Sequence, residues 1–130
     1  MIPSVRELLS AHIFLARRFA WEITPPVEDL IEAFVDARLE AERLSLDGGD
    51  EVAALFYACA ARSPSIGEDF VLSAMLVTLN HGVGSGRRAT VDAGRLSRDL
   101  LLKSREIAGG ALSFEAFRAW LAVRLPTMPG

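Results

Sequence analysis

Cysteine, lysine and histidine are scarce in this chain of 130 residues, and their scarcity excludes several classes of protein. The single cysteine, Cys59, excludes a disulfide framework and a cysteine-rich zinc site, and is typical of a reducing compartment. No apolar run reaches the ~18 residues that would predict a membrane-spanning helix. The first residues carry charge too early for a secretory signal peptide. We therefore expect a cytoplasmic protein that has no membrane association.

The composition favours a globular domain with a substantial core. Hydrophobic residues make up 51% of the chain and charged residues 24%, which is too apolar for a disordered chain. A chain of this length corresponds to one domain and buries roughly two-thirds of its unfolded surface. We expect residues 1–125 to form a single helical domain, followed by a C-terminal tail at 126–130.

Charge is distributed unevenly along the chain. The net charge of −3 argues against nucleic acid as a specific partner. Residues 22–51 contain ten acids against two bases, whereas residues 87–105 contain six bases against two acids. Two interpretations remain open, either solvated acidic and basic helices or a basic face for an anionic partner. Thirteen of the fourteen bases are arginine, which suits forked contacts with carboxylate or phosphate.

Helical signals recur along the whole chain. Apolar residues at three- and four-residue steps predict helices over about 5–20, 26–46, 50–62, 66–81, 91–108 and 113–125. Capping boxes begin at Ser4 and Ser65, and Ser113 caps the last helix. The stops are Gly48-Gly49, Pro64 and the Gly82–Gly86 segment, while Pro25-Pro26 precedes the second helix. We predict an all-α single-domain bundle of about six helices, with the fourth helix the most enclosed.

The isolated reactive residue types have structural interpretations. Cys59 and His12 lie in apolar stripes, which is typical of packing residues, and His81 ends a helix, where the dipole favours an imidazolium. No His, Cys or carboxylate cluster has the spacing of a zinc, di-iron or calcium site. The sequence therefore predicts no bound metal.

The segment Asn80–Thr90 is rich in glycine and ends in two arginines. Glycines at alternate positions let the backbone approach an anion, and Arg87 and Arg88 could clamp a phosphate. The segment lacks the lysine and the preceding strand of a Walker loop. Two interpretations stay open, an anion-binding loop or a mobile connector between helices.

Three segments resemble the Fic/Doc (death-on-curing) family. They are the opening helix at Leu8–His12, the alanine-rich helix at Val52–Arg62, and the last two helices within Leu100–Leu121. The resemblance implies an orthogonal helical arrangement and an active loop that reads His-Pro-Phe, an acid, then Gly-Asn-x-Arg. In that loop the histidine activates a hydroxyl, the acid holds magnesium, and the amides and arginine bind nucleotide phosphates.

The corresponding loop of this chain, Ser63–Asp69, departs from the family motif. Pro64 and Gly67 are kept, but Ser63 occupies the histidine position and no arginine follows before Arg87. A serine without a neighbouring base stays protonated near neutral pH, so catalysis of the family kind is absent in this register. A second register places His81 at the base position, but it leaves about one helix too few residues before Gly109.

Three functional hypotheses follow. The first is a catalytically degenerate Fic/Doc-like domain, of the bacterial toxin–antitoxin type, that binds or regulates a protein without a cofactor. It places a residual anion site at Ser65, Gly67, Glu68 and Asp69. The second is an active nucleotide or phosphate transferase that uses a magnesium nucleotide with His81, Arg87 and Arg88. The third is an unrelated all-α module that associates with itself, since a small apolar domain leaves a patch for a partner to cover.

Overall fold

The described part of the chain folds into six α-helices, which confirms the predicted all-α bundle. A computed structural model describes residues 2–22, 26–46 and 49–127. The described chain forms α1 (Val5–Phe19), α2 (Val27–Ser45), α3 (Glu51–Ile66), α4 (Glu68–Gly84), α5 (Ala93–Ala108) and α6 (Phe114–Arg124). Within those residues the extended pairing is limited to one isolated bridge between Arg87 and Thr127. The orthogonal, Fic/Doc-like arrangement of these helices stays a prediction.

Helix α3 occupies the centre of the bundle. It packs against α2, α4, α5 and α6, and it buries five small side chains completely: Ala53, Ala54, Ala58, Cys59 and Ala60. Small side chains let neighbouring helices approach a common axis from several sides. The prediction that the fourth helix is the most enclosed is therefore wrong, since α3 takes that position.

Two apolar clusters lie on opposite sides of α3. The first joins α3 to α1, α2 and α4, and its largest members include Leu8, Leu30, Phe34 and Phe70. The second joins α3 to α5 and α6 and includes Val71, Leu96, Leu100 and Phe117. The core is therefore continuous through α3, which contributes residues to both clusters.

Several helix ends follow their local signals. The Ser4 hydroxyl accepts a hydrogen bond from the Glu7 amide, and the Glu7 carboxylate accepts one from the Ser4 amide, so this capping box is confirmed. The Ser113 cap is also confirmed. The predicted boundary residues Pro25 and Gly48 lie outside the described part of the chain.

The junction between α3 and α4 differs from the prediction. Helix α3 continues through Pro64 to Ile66, four residues beyond the predicted end at Arg62. A proline inside a helix leaves the carbonyl four residues earlier without an amide donor. Here that carbonyl belongs to Ala60, and the Ser63 hydroxyl donates to it at 2.8 Å. This substitute hydrogen bond explains how the helix tolerates the proline.

The predicted capping box at Ser65 is wrong. The Ser65 hydroxyl donates to the Arg62 carbonyl inside α3, so it does not cap α4. The N-cap of α4 is instead Gly67, which makes no side-chain hydrogen bond and has a φ of +112°. A glycine is favoured at this position because other L-residues rarely adopt such a backbone conformation.

Loss of Phe34 should destabilise the bundle strongly. Its ring is fully buried and stacks on the Phe70 ring, with 4.4 Å between the ring centroids. We expect Phe34→Ala to lower the free energy of unfolding in urea by about 3–5 kcal/mol. The control Phe14→Ala, at a side chain that is 59% exposed, should change it by less than about 0.5 kcal/mol. Equal losses in the two variants would contradict the assigned core.

Candidate functional site

The four residues of the predicted anion site lie together at the α3–α4 junction. Ser65 belongs to the last turn of α3, Gly67 forms the bend, and Glu68 and Asp69 begin α4. The Gly67 amide is already used, because it donates to the Ser63 carbonyl at 2.7 Å. The first turn of α4 is therefore the part of this junction that could still offer amides to an anion.

Acidic side chains surround this junction. Arg105 Nε donates a hydrogen bond to Glu68 Oε1 at 2.8 Å, and this contact lowers the pKa of Glu68. A shallow cavity of about 280 Å³ beside Ser65 and Arg62 is lined by three acids of α2: Asp29, Glu32 and Asp36. Like charges disfavour a bound phosphate. The anion site stays a prediction, and the charge of its surroundings opposes it.

An imidazole from α1 reaches the first turns of α4. His12 Nδ1 lies 2.7 Å from the Ser73 hydroxyl, which itself donates to the Asp69 carbonyl at 2.9 Å. Because the hydroxyl proton is used in that bond, Nδ1 of His12 must carry the proton that it shares with Ser73. Burial lowers the pKa of His12, and the nearby Asp69 charge opposes the shift.

The His12–Ser73 pair has a structural rather than a catalytic geometry. Only 2% of His12 is exposed and none of Ser73, so neither group can reach a substrate without local unfolding. The pair is a polar link between α1 and α4 inside an apolar region, where a satisfied hydrogen bond is required. Sequence reasoning identified His12 as a packing residue but missed Ser73, because 61 residues separate the two.

Stability should fall as the pH drops below the usual pKa of histidine. Burial lowers the pKa of folded His12 below the value of 6.5, so the unfolded chain binds a proton first as the pH falls. The stabilisation from the neutral imidazole is complete above about pH 6.5 and is lost as the pH falls towards the lowered pKa. Urea unfolding at about pH 7.5 and about pH 5.5 measures the difference.

A substitution isolates the contribution of His12. His12→Asn keeps an N–H donor for Ser73 but cannot titrate, so its stability should depend less on pH than that of the parent chain. An unchanged pH dependence in His12→Asn would contradict the role assigned to the buried imidazole.

The residues of the alternative transferase site lie at the other end of α4 from that junction. His81 follows Glu68 by thirteen positions on α4, which corresponds to about 20 Å along the helix. Arg87 forms an ion pair with Asp50 at the start of α3, where 14% and 11% of the two side chains are exposed. Arg88 is exposed, and its amide donates to the Pro126 carbonyl. Arg87 is thus engaged with a carboxylate while Arg88 is exposed, and the alternative site stays a prediction.

The glycine-rich segment is tied to other parts of the chain. Besides the Arg87 ion pair, the Thr90 amide donates to the Arg124 carbonyl at 2.8 Å. The first two residues of the predicted tail, Pro126 and Thr127, pair with this segment, whereas residues 128–130 lie outside the described chain. These contacts favour a structural connector over an open anion loop.

The two adjacent arginines should differ sharply in their contribution to stability. Arg87→Ala removes the charged partner of a largely enclosed Asp50 carboxylate, which keeps only its hydrogen bond from the Ala53 amide, so we expect a loss of about 1.5–3 kcal/mol in the free energy of unfolding. Arg88→Ala removes an exposed side chain and should cost less than about 0.5 kcal/mol. Similar losses in the two variants would show that the Arg87–Asp50 pair is not the decisive contact.

An apolar groove lies over α4 between α1 and α5, and we call it the α1–α5 groove. Its volume is about 590 Å³, and its main apolar lining consists of Leu15, Phe19, Trp21, Leu72, Leu76 and Leu79. Although it lines the groove, Phe19 remains 58% exposed, and its ring stacks on that of Trp21 with 5.9 Å between centroids. Sequence reasoning missed this groove, because apolar residues on a helix that is apolar nearly all round are indistinguishable from core residues.

Three further features were considered as functional sites: the cysteine, a metal-binding cluster and a membrane-spanning helix. Cys59 is completely buried, and burial raises the pKa of its thiol to about 12, so it is not a thiolate nucleophile. Over residues 2–22, 26–46 and 49–127, no cluster of His, Cys, Asp and Glu could hold a metal ion. In the same part of the chain, no helix combines the length and apolarity needed to cross a bilayer.

Known proteins offer no guide to this site. No protein-family model, curated protein or solved structure matches the chain. The Fic/Doc resemblance therefore stays a prediction, and any function must be argued from the residues of the chain itself.

Proposed function

We propose that this chain is a protein-binding helical domain whose binding surface is the α1–α5 groove. The observation that carries the proposal is the exposure of Phe19 in a groove whose other lining residues are mostly apolar. Apolar surface concentrated in one concave place is typical of a site that another molecule covers.

The exposed aromatic side chains of the groove would contribute favourably to binding. An aromatic side chain buries about 150–250 Å² in total, and more than half of Phe19 is exposed. At about 25 cal/mol per Å², covering this ring alone contributes roughly 2–3 kcal/mol. Trp21 is partly exposed beside it and adds a second aromatic contact of the kind that dominates protein interfaces.

Two observations favour binding over catalysis. Ser63, the residue at the family's histidine position, donates its hydroxyl to the Ala60 carbonyl. This hydroxyl therefore stabilises α3 where Pro64 lacks an amide. The transferase hypothesis requires Arg87 to be free for phosphate, yet its guanidinium is paired with Asp50. A regulatory, toxin–antitoxin-type role is the finer form of this proposal, and its support is the sequence resemblance alone.

Peptides selected on the immobilised chain from a random library test the proposal. We expect them to bind in the groove and to lose at least about tenfold in affinity to Phe19→Glu, which places a charge in the apolar lining. The matched control Leu102→Glu changes an exposed leucine of α5 that does not line the groove, and it should bind as the parent does.

A nucleotide titration provides the second measurement. Calorimetry with ATP and magnesium should give no heat of micromolar binding, and the chain should transfer neither AMP nor phosphate to a protein. Transfer that depends on His81, or peptides that bind equally to Phe19→Glu, would overturn the proposed function.

A further inference from the structure

A polar cavity lies between α1 and α4, and we call it the α1–α4 cavity. Its volume is about 760 Å³, within the roughly 300–1,000 Å³ of small-molecule sites. The bond between His12 and Ser73 holds the two helices side by side. The cavity lies to one side of that bond, between the first two turns of α1 and the second half of α4. The two helices are therefore antiparallel, and the start of α1 faces the end of α4.

The α1–α4 cavity has an apolar floor and a polar rim. Ala11 and Val77 line it and are buried, so they form the floor. The exposed polar side chains of the rim are Arg6, Glu7, Ser10, Asn80 and Ser85. A Cβ atom added to Gly84, which also lines the cavity, would meet no atom within 4 Å, so the space beside it is open. A ligand with one apolar part and several polar groups fits this lining.

The rim carries one cation and one acid, and both retain capacity to bind a ligand. Over residues 2–22, 26–46 and 49–127, the Arg6 guanidinium has no ion-pair partner. The Glu7 carboxylate uses only Oε1 in the capping box, and its contacts with the Ser4 amide and hydroxyl are both 3.4 Å long. In the same part of the chain, Oε2 of Glu7 accepts no hydrogen bond. A guanidinium and a carboxylate oxygen are therefore available at one cavity.

The formal charges at the rim balance. The residues next to the lining in the sequence include no further Asp, Glu, Lys or Arg. The first charged residue after α4 is Arg87, and its guanidinium is paired with Asp50. A lone anion in the cavity is repelled by Glu7, and a lone cation by Arg6. A molecule that carries both charges meets an opposite charge for each of its own.

We propose that the α1–α4 cavity binds a small zwitterion, namely a free α-amino acid with an apolar side chain. The ligand carboxylate pairs with the forked guanidinium of Arg6, and the ligand ammonium group donates to Oε2 of Glu7. The apolar side chain of the ligand covers the floor at Ala11 and Val77. Asn80 at the rim supplies an amide that both donates and accepts hydrogen bonds.

The α1–α4 cavity is a different site from the α1–α5 groove. The two share Leu76 and Asn80, but Arg6 and Glu7 line only the cavity. The described lining of the groove includes no charged side chain. A zwitterion that entered the groove would lose hydration without gaining opposite charges, which costs free energy. The inference therefore goes beyond the proposed function and does not depend on it.

Titration of the nitrogen-15-labelled chain with L-leucine tests the site. We expect saturable changes in the amide chemical shifts of Glu7 and Ser85, which line this cavity and not the groove. The Kd should lie at about 1–10 mM, the range of a ligand of this size in an open site. The amides of Leu15 and Ser97, which line the groove and not the cavity, should keep their shifts.

Two analogues of leucine test the charge pairing on the parent chain, without any substitution in the protein. Leucinamide lacks the carboxylate, and N-acetylleucine lacks the ammonium group, while both keep the apolar side chain. Each should bind at least about fivefold more weakly than leucine, because each leaves one charge of the rim unpaired.

Two variants assign the charges to residues. Arg6→Gln and Glu7→Gln should each weaken leucine binding at least about fivefold, and a glutamine at position 7 keeps the capping box of α1. Arg6→Gln should leave the affinity for leucinamide unchanged, and Glu7→Gln that for N-acetylleucine, because the analogue already lacks the matching charge. The matched controls Arg17→Gln on α1 and Glu28→Gln in the first turn of α2 remove exposed charges outside the cavity and should bind leucine as the parent does.

Three outcomes would overturn the inference. Shifts that do not saturate by about 20 mM leucine rule out the site. Shifts at Leu15 and Ser97 in place of Glu7 and Ser85 put the ligand in the α1–α5 groove. Equal affinities for leucine and either analogue rule out recognition of a zwitterion. Each of these results leaves the proposed function standing, because that function is tested with peptides at a different site.

Discussion

The small side chains of α3 determine how closely the rest of the bundle can pack. Four other helices contact α3, and its central alanines and Cys59 are completely buried against them. A close-packed interior responds to a change of even one methylene, so this helix has little room for larger residues. Because α3 contributes residues to both apolar clusters, the two clusters form one continuous core. Of the three helices that line the α1–α5 groove, α4 and α5 pack directly against α3, and α1 packs on α4.

At the junction between α3 and α4, a side-chain hydrogen bond compensates for the amide that Pro64 lacks. Pro64 removes an amide from the helix, and Ser63 restores the missing donor to the Ala60 carbonyl. Ser63 is also the residue that stands where the resemblance would place a catalytic histidine. Its hydroxyl therefore has a structural explanation that is independent of any family relationship. The proposed binding function depends on the groove rather than on this junction.

Local signals made the helices predictable, whereas contacts between distant residues decided the site. The Ser4 capping box and the Ser113 cap depend on residues within one turn, so the sequence alone reveals them. The continuation of α3 through Pro64 depends on a side-chain hydrogen bond that residue preferences do not encode. The His12–Ser73 pair spans 61 positions. The groove likewise depends on which apolar faces of α1, α4 and α5 the packing leaves uncovered.

The contacts of the glycine-rich segment also constrain the order in which the chain can fold. The Arg88 and Thr90 amides bond to carbonyls at Pro126 and Arg124, and Arg87 pairs with Asp50 at the start of α3. During synthesis, α3 leaves the ribosome well before residues 124–127 are made. These contacts therefore form after the helices have been synthesised, and until then the Arg88 and Thr90 amides lack their backbone acceptors. The glycine-rich segment thus depends on non-local contacts with residues more than 30 positions away, both earlier and later in the chain.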